Sequence, residues 1–152
     1  MQLYIGADHG GFKLAEELLL WCKENKLPVE NLGAFTYNKD DDYVDFSQTV
    51  AEKVTDEIVK GREVRGIVIC RNGVGVDLVA NKKRYIRCCL GFNEEQVRKA
   101  RLDDDVNMLA LPADYIDVTT AKKFVQIFLD TKFVPEERFV RRIAKVENMR
   151  SI

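Results

Sequence analysis

A cysteine followed closely by two glycines is the feature of this sequence best suited to chemistry. Cys70 ends the apolar run 66–69, and Gly73 and Gly75 follow it. Glycines let backbone N–H groups turn toward an anion at the start of a helix, and a thiol beside such donors can be held as a thiolate. The pattern predicts a catalytic thiol beside an anion-binding turn.

A second group of polar residues follows the first predicted strand. Asp8 and His9 precede Gly10 and Gly11, and His9 is the only histidine of the chain. The carboxyl ends of parallel strands meet at one edge of a sheet, so this group is expected to lie beside Cys70. A lone histidine is most often structural, but a position between an aspartate and two glycines at a strand end favours a functional role.

Two arginines near the carboxyl end of the chain suit a phosphate ligand. Arg138 and Arg142 are four residues apart and therefore share one face of a predicted helix. Two guanidinium groups on one face can bind phosphate. The alternative is a solvated helix face, which the neighbouring Arg141 and Lys145 favour.

Several familiar catalytic motifs are absent from the sequence. Val76 stands where the C-x5-R loop of small tyrosine phosphatases would need arginine, and Leu78 stands at the third glycine of a dinucleotide fingerprint. There is no P-loop and no C-x-x-C pair. The other cysteines (Cys22, Cys88 and Cys89) are expected to be buried apolar residues in a reducing compartment.

The composition excludes some classes of function. The chain has 152 residues, 24 basic and 25 acidic, which gives a formal net charge of −1 and no basic footprint for nucleic acid. No apolar run approaches the roughly 20 residues that span a membrane, and the amino terminus lacks the pattern of a signal peptide. We therefore expect a cytoplasmic protein of one domain, residues 1–152, with no nucleic-acid or membrane partner.

Strand and helix patterns alternate along the chain and predict how these residues are positioned. The predicted strands are Leu3–Ala7, Val29–Leu32, Gly66–Cys70, Ile86–Phe92 and Val106–Leu111. The first two predicted helices have apolar faces at residues 12–22 and 46–58, and the third is a short helix that ends near Asn81. The fourth covers Glu94–Arg101. The fifth begins near a capping Thr119 or Thr120, and the last covers about Glu136–Met149. The segment 33–43 is predicted to be a loop, and Gly61 to end the second helix.

This alternation predicts an α/β fold with a doubly wound five-stranded parallel sheet and helices on both faces. The last helix follows the completed sheet. Its apolar residues Phe139, Val140 and Ile143 can pack on a second subunit, as a dimerisation helix, or on their own domain. The pattern leaves both arrangements open.

The motifs, taken in order, resemble ribose-5-phosphate isomerase B, whose wider group includes the galactose-6-phosphate isomerase subunits. The resemblance spans nearly the whole chain. It rests on Asp8-His9-Gly10-Gly11, Asp42-Tyr43, Cys70-x-x-Gly73-Val-Gly75, Ala80-Asn81-Lys82, Ile86-Arg87, Asn107–Leu111 and Arg138-x-x-x-Arg142.

The resemblance implies a Rossmann-like homodimer or tetramer with active sites at the subunit interface and no metal or organic cofactor. The implied reaction is aldose–ketose isomerisation of a phosphorylated sugar. Carried over, Cys70 is the base that moves a proton between C1 and C2 through a cis-enediolate. The backbone amides of Gly73 and Gly75 stabilise the enediolate oxygens.

The remaining expected contacts also come from the resemblance. Asp8 would hydrogen-bond the sugar hydroxyls with Tyr43 nearby. Asn107, which opens the matched segment 107–111, is expected to bind substrate. The phosphate would be held by His9, Arg138 and Arg142.

Three positions depart from the family pattern. Asn72 replaces a threonine that helps to open the furanose ring, and Asp103 replaces the histidine that is its main acid/base. Asp103 and Asn72 would have to take over ring opening. Asp114 replaces a phosphate-binding arginine and would repel phosphate, and Arg71 beside Cys70 is the expected replacement cation.

These departures leave three explanations. The substrate needs little ring opening, as for a four-carbon sugar phosphate; it is a six-carbon or modified sugar phosphate bound differently; or activity has been lost. The alternative function is a non-catalytic sugar-phosphate-binding subunit or regulator of the same fold. A thiol-dependent redox or phosphatase role is disfavoured by the missing motifs.

Overall fold

The computed structural model describes residues 1–149, which form five strands and six helices. In chain order they are β1 (Gln2–Ala7), α1 (Phe12–Glu24), β2 (Val29–Asn31), α2 (Tyr43–Val59), β3 (Val64–Cys70), α3 (Val74–Ala80), β4 (Cys88–Leu90), α4 (Glu94–Asp104), β5 (Met108–Pro112), α5 (Val118–Asp130) and α6 (Glu137–Asn148). Within residues 1–149, no helix has both the length and the apolar character needed to cross a membrane.

The strands form one parallel sheet in the order β2-β1-β3-β5-β4, which confirms the predicted α/β fold. The chain adds β2 on one side of β1 and then returns to place β3 on the other side. The crevice between the carboxyl ends of β1 and β3 is therefore the topological switch point, where open α/β sheets bind ligands. Register pairs Ala7 with Ile69 there, so both strands end at the same level.

Two hydrophobic cores cover the two faces of the sheet. Successive residues of β3 alternate between them, because side chains along a strand point to opposite faces. Ile67 and Ile69 belong to the core beneath α1, α4 and α5, whereas Val68 and Cys70 belong to the core beneath α2 and α3. Cys70 thus emerges on the face of the sheet that α3 covers.

Side chains cap three of the helices. Asp42 Oδ1 accepts a hydrogen bond from Val44 N at 3.0 Å at the start of α2, and Asn93 Oδ1 accepts from Gln96 N at 2.8 Å at the start of α4. The predicted cap of α5 was wrong. Asp117, rather than Thr119 or Thr120, is its N-cap, because its Oδ1 reaches Thr120 N at 2.7 Å.

Three predicted boundaries need correction. The fourth strand was predicted as Ile86–Phe92, but only Cys88–Leu90 is a strand, because Arg87 N is bonded to the Asn107 side chain at 2.9 Å. Helix α2 begins at Tyr43, which was predicted to be the end of a loop. Helix α4 continues to Asp104 and therefore includes Asp103. The stop at Gly61 is confirmed, since this residue has a φ of 74° just after the helix.

Helix α6 packs partly on its own subunit. Phe139 is 6 % exposed, and Glu147 Oε1 lies 3.0 Å from Arg87 Nη1. Val140 and Val146 remain 47 % and 44 % exposed. One face of the helix therefore lies on the domain, and apolar residues of another face remain uncovered in the single subunit.

A buried arginine ties together α4, α5 and the start of β5. Arg101 is 2 % exposed, and its Nη1 donates to Asp105 Oδ1 at 2.7 Å and to the carbonyl of Val106 at 2.5 Å. Its Nε donates to the carbonyl of Thr131 at 3.2 Å. This side chain thus joins three segments through one buried acceptor, the carbonyl of Val106, and two partly buried ones.

Replacing Arg101 should therefore destabilise the fold. We expect Arg101→Met to lower the free energy of unfolding by about 3 kcal/mol, because buried acceptors lose their donors. Urea denaturation measures this change. Arg98→Met is the matched control, because Arg98 lies on the same helix, is 47 % exposed and pairs with Glu95 only at 3.8 Å. Equal stability of the two variants would contradict the structural role of Arg101.

Candidate active site

A cleft of about 370 Å³ lies at the switch point between the ends of β1 and β3. It brings together residues from β3, the turn before α3, the segment after β1 and the start of α2. The lining residues are Asp8, His9, Tyr43, Cys70, Arg71, Asn72, Val74, Gly75 and Leu78. The structure thus gathers in one place the two sequence motifs that lie about 60 residues apart.

The Cys70 thiol is held by the turn that follows it. Its Sγ accepts a hydrogen bond from Gly73 N at 3.2 Å, and the residue is 4 % exposed. Gly73 has a φ of 75°, which a residue with a side chain rarely adopts, and a Cβ there would lie 2.4 Å from Leu90 Cδ1. The Gly73 amide, predicted to face the substrate, thus donates to the sulfur.

Asn72 closes the turn between Cys70 and α3. Its Oδ1 accepts from Val74 N at 3.0 Å and lies 3.9 Å from Cys70 Sγ. The side chain lines the cleft, as predicted, but its carbonyl oxygen is already used to order the first turn of α3. This leaves the Asn72 amide NH₂ as the group able to donate to a ligand.

Tyr43 forms one wall of the cleft. Its ring packs against Gly75, where a Cβ would lie 2.6 Å from the ring carbon Cε2. The side chain is 38 % exposed. Glycine at position 75 therefore allows the aromatic ring to lie directly beside the turn that holds the thiol.

Asp8 is buried at the base of the cleft. It is 5 % exposed, and its Oδ1 accepts from Gly11 N at 3.0 Å. Burial raises the pKa of Asp8, and the hydrogen bond from Gly11 and the proximity of His9 oppose this effect. A carboxyl group of this kind can both donate to and accept from a sugar hydroxyl.

His9 is hydrogen-bonded to an aspartate that was not among the site residues predicted from the sequence. Asp41 Oδ1 lies 2.7 Å from His9 Nδ1 and also accepts from His9 N at 2.9 Å. Asp41 belongs to the run 40–42, which looked like ordinary loop polarity. The sequence offered one signal for Asp41. The acidic run directly precedes Tyr43, a residue predicted to lie near the substrate, so the run is carried back to the cleft at the start of α2.

Asp8, His9 and Asp41 also form the one group of side chains in residues 1–149 whose ligand atoms are close enough to share a metal ion, within 4.8 Å of one another. The hydrogen bond between His9 and Asp41 is by itself enough to explain why these two side chains lie close together.

Arg71 lies at the mouth of the cleft. Its Nη1 is 3.7 Å from Asp114 Oδ2, and the two side chains are 63 % and 50 % exposed. An exposed pair of this kind contributes little to stability, so Arg71 is free to turn toward an anion. Asp114, predicted to repel phosphate, is instead directed at this arginine.

Three predicted site residues lie on helices outside the cleft of their own subunit. Asp103 lies on α4, and Arg138 and Arg142 lie on α6, which packs against α4. Arg138 pairs with Glu136 at 2.8 Å, and Arg142 lines a separate groove with Asp104. Within one subunit none of these three lines the Cys70 cleft.

The prediction that Asn107 binds substrate is corrected for the single subunit. Asn107 precedes β5 at the amino edge of the sheet, about 16 Å along the strands from the level of Cys70. Its Oδ1 accepts from Arg87 N at 2.9 Å and its Nδ2 donates to the carbonyl of Tyr85 at 2.6 Å. The buried amide joins the segment before β4 to β5.

The other three cysteines are poorly suited to chemistry. Burial raises the pKa of Cys22 to about 11 and that of Cys89 to about 12, and it raises the pKa of Cys88 well above its usual value. A protonated, buried thiol is a weak base and nucleophile. Cys70 is thus the cysteine that opens onto the cleft.

Comparison with known proteins identifies similar chains along almost the whole sequence. A family model described as Ribose/Galactose Isomerase matches residues 3–146. Ribose-5-phosphate isomerase B of Mycobacterium leprae is 31 % identical over 143 residues, which cover 94 % of this chain and 86 % of that protein.

Solved structures agree with the sequence comparison. Ribose-5-phosphate isomerase B from Mycoplasma genitalium with bound ribulose-5-phosphate superposes with a TM-score of 0.91 at 32 % identity, covering 97 % of this chain and 95 % of that chain. Ribose-5-phosphate isomerase B from Clostridium thermocellum gives a TM-score of 0.90 at 33 % identity, covering 98 % and 97 % of the two chains.

The buried Asp8 should make stability depend on pH in a predictable direction. Because burial raises its pKa in the folded state, the ionised carboxylate destabilises the fold above the ordinary aspartate pKa of about 3.9. The destabilisation grows as pH rises through the raised folded-state pKa. We expect Asp8→Asn, which stays neutral, to melt at a higher temperature than wild type at pH 7.

Thermal unfolding at pH 7 and pH 4 measures this effect, and the advantage of Asp8→Asn should shrink at the lower pH. Asp40→Asn is the control, because Asp40 is exposed and the charge change is the same. An advantage that is equal at both pH values would contradict the assignment.

Proposed function

This chain belongs to the ribose/galactose isomerase family, and on that premise we propose that Cys70 moves a proton between two neighbouring carbons of an open-chain sugar phosphate. The chain is an aldose–ketose isomerase of a phosphorylated sugar. The observation that carries the proposal is the cleft at the switch point, which Cys70 and the buried Asp8 both line.

The reaction needs a base and an environment for a developing enediolate. In the aldose-to-ketose direction, the Cys70 thiolate removes the proton from C2, and the electron pair forms the C1–C2 double bond while O1 gains negative charge. The proton on O2 then passes to O1, and Cys70 returns its proton to C1. Atoms and electrons balance without a cofactor.

The turn after Cys70 supports this chemistry. The Gly73 N–H, whose nitrogen lies 3.2 Å from Cys70 Sγ, stabilises negative charge on the sulfur when Cys70 is a thiolate. The Gly75 amide and the Asn72 NH₂ group are the donors left for the enediolate oxygens. Asp8 binds the hydroxyls, and Tyr43 closes the side of the cleft.

We propose a pentose 5-phosphate as the substrate, because the similar proteins are named ribose-5-phosphate isomerase B and one is described with ribulose-5-phosphate bound. Four- and six-carbon sugar phosphates are the competing substrates, since Asn72 and Asp103 replace the ring-opening residues of the family pattern. His9 and Arg71 are the cations of the same subunit that the cleft offers to a phosphate.

The enzyme is proposed to act as a homodimer that shares its sites. Val74 and Leu78 at the cleft are 45 % and 60 % exposed, which is unusual for apolar residues at the mouth of a polar site. Arg138 and Arg142 lie outside the cleft of their own subunit. A partner subunit that covers the apolar rim would bring its α6 arginines, or its Asp103, to the phosphate or the sugar ring.

Substitution of Cys70 tests the proposed base. Cys70→Ala should reduce turnover of ribose 5-phosphate by at least about 10³-fold, because no other group can take the C2 proton from that position. The assay follows isomerisation across four-, five- and six-carbon aldose and ketose phosphates, together with solvent deuterium entry at C2. Cys22→Ala is the control. Undiminished activity of Cys70→Ala would contradict the mechanism, and preferred turnover of another sugar would change the substrate.

Mixed dimers test the shared site. Cys70→Ala and the double variant Arg138→Ala with Arg142→Ala should each be inactive or strongly impaired alone. Co-expressed, they should recover about a quarter of wild-type activity, because half of the dimers combine one intact cysteine with arginines from the other subunit. Arg141→Ala is the control, since Arg141 is 57 % exposed and faces Glu137. A monomer in sedimentation, or no recovery in mixed dimers, would contradict the shared site.

A further inference from the structure

One carboxylate oxygen of Asp41 contacts both the backbone and the imidazole ring of His9. Asp41 Oδ1 accepts from the backbone N–H of His9 at 2.9 Å and lies 2.7 Å from Nδ1 of its ring. A single oxygen therefore sets both the backbone position and the ring orientation of the only histidine in the chain.

This contact decides which ring nitrogen is available to a ligand. An ionised carboxylate only accepts hydrogen bonds, so Nδ1 carries the proton that it receives. Nε2 is the ring nitrogen left for the cleft. The His9 side chain is 22 % exposed and that of Asp41 is 9 % exposed, so the ring is the more accessible member of the pair.

The charge of Asp41 is not used elsewhere in residues 1–149. Its second oxygen, Oδ2, is buried and has no hydrogen-bond partner within that range. The cleft's arginine, Arg71, is directed at Asp114 instead. Burial raises the pKa of Asp8, the other carboxyl group nearby. Within that range, the Asp41 carboxylate therefore has His9 as its hydrogen-bond partner.

The loop holds Asp41 at this place. Asp40 N donates to Asn38 Oδ1 and Asp41 N donates to the carbonyl of Asn38, both at 3.1 Å. Asp42 then caps α2. Three consecutive aspartates thus have three different environments, and only Asp41 points at the cleft histidine.

We propose that Asp41 is a positioning residue that holds His9 with Nε2 directed at the phosphate of the substrate. When a phosphate enters, Nε2 takes up a proton from the solvent or from the phosphate itself and donates to a phosphate oxygen, and Asp41 balances the resulting positive charge on the ring. An imidazole ring without a hydrogen-bond partner can rotate about its side-chain bonds. The contact with Asp41 fixes the ring of His9 before phosphate binds, with Nε2 already in place as a donor. The inference rests on the proposed function, which supplies the phosphorylated ligand.

Nitrogen NMR of the ring tests the geometry without any variant. His9 is the only histidine, so tag-free protein labelled with ¹⁵N gives one set of imidazole signals that need no assignment. We expect Nδ1 to be protonated in the free protein, and Nε2 to gain a proton when inorganic phosphate is added. A free protein that carries its proton on Nε2, with Nδ1 bare, would overturn the proposal.

Binding of inorganic phosphate tests the role independently of catalysis. In the Cys70→Ala background, calorimetry should show phosphate affinity about tenfold weaker for Asp41→Ala, with a smaller loss for Asp41→Asn, which keeps an acceptor oxygen but not the charge. Asp40→Asn should bind as the background does. Unchanged affinity in folded Asp41→Ala would overturn the proposal even if the enzyme is an isomerase.

Steady-state kinetics separates positioning from proton transfer. With Cys70 intact, Asp41→Asn should raise KM for the sugar phosphate several-fold with kcat nearly unchanged. A fall in kcat at unchanged KM would overturn the proposal, because it would place the pair in the chemical step. If wild type turns over no sugar phosphate while phosphate binding still depends on Asp41, the proposed function fails and this inference stands.

Discussion

The parallel pairing of β1 with β3 is the constraint on which the site depends. It places the ends of two strands side by side where the chain reverses its direction of winding, and it leaves a crevice there that no helix fills. Cys70 ends β3 and Asp8 directly follows β1, so both residues reach the crevice. Loss of this register would move every side chain of β3 to the opposite face and bury the thiol beneath α1.

Stability and chemistry lie at opposite edges of the sheet. At the amino edge, Arg87, Arg101 and Asn107 donate to backbone carbonyls of the turns, and Asn107 uses both the oxygen and the nitrogen of its side-chain amide. At the carboxyl edge, the turn after Cys70 leaves donors facing the cleft, and the titratable carboxyl group of Asp8 is buried. Polar groups that are fully paired hold the fold, whereas those with spare hydrogen-bonding capacity are the ones that can meet a ligand.

The replacements in this chain are easier to interpret once the cleft is assembled. Asn72 keeps the turn in place of a threonine, and Asp114 engages Arg71 in place of a third arginine. Asp41 adds a carboxylate that hydrogen-bonds His9 within one subunit. Positions at which this chain departs from the family pattern thus have contacts of their own in the folded structure.

Local sequence patterns were enough to predict the strands, most helices, the parallel sheet and the meeting of Cys70 with Asp8 and His9, because each follows from periodicity and from where parallel strands end. The shortness of β4, the Asp117 cap, the structural role of Asn107 and the contact of Asp41 with His9 were decided by tertiary structure alone. Each depends on a side chain that bonds a backbone or ring atom across a turn or across 20 or more residues, and no local pattern records which of several polar residues will reach that atom.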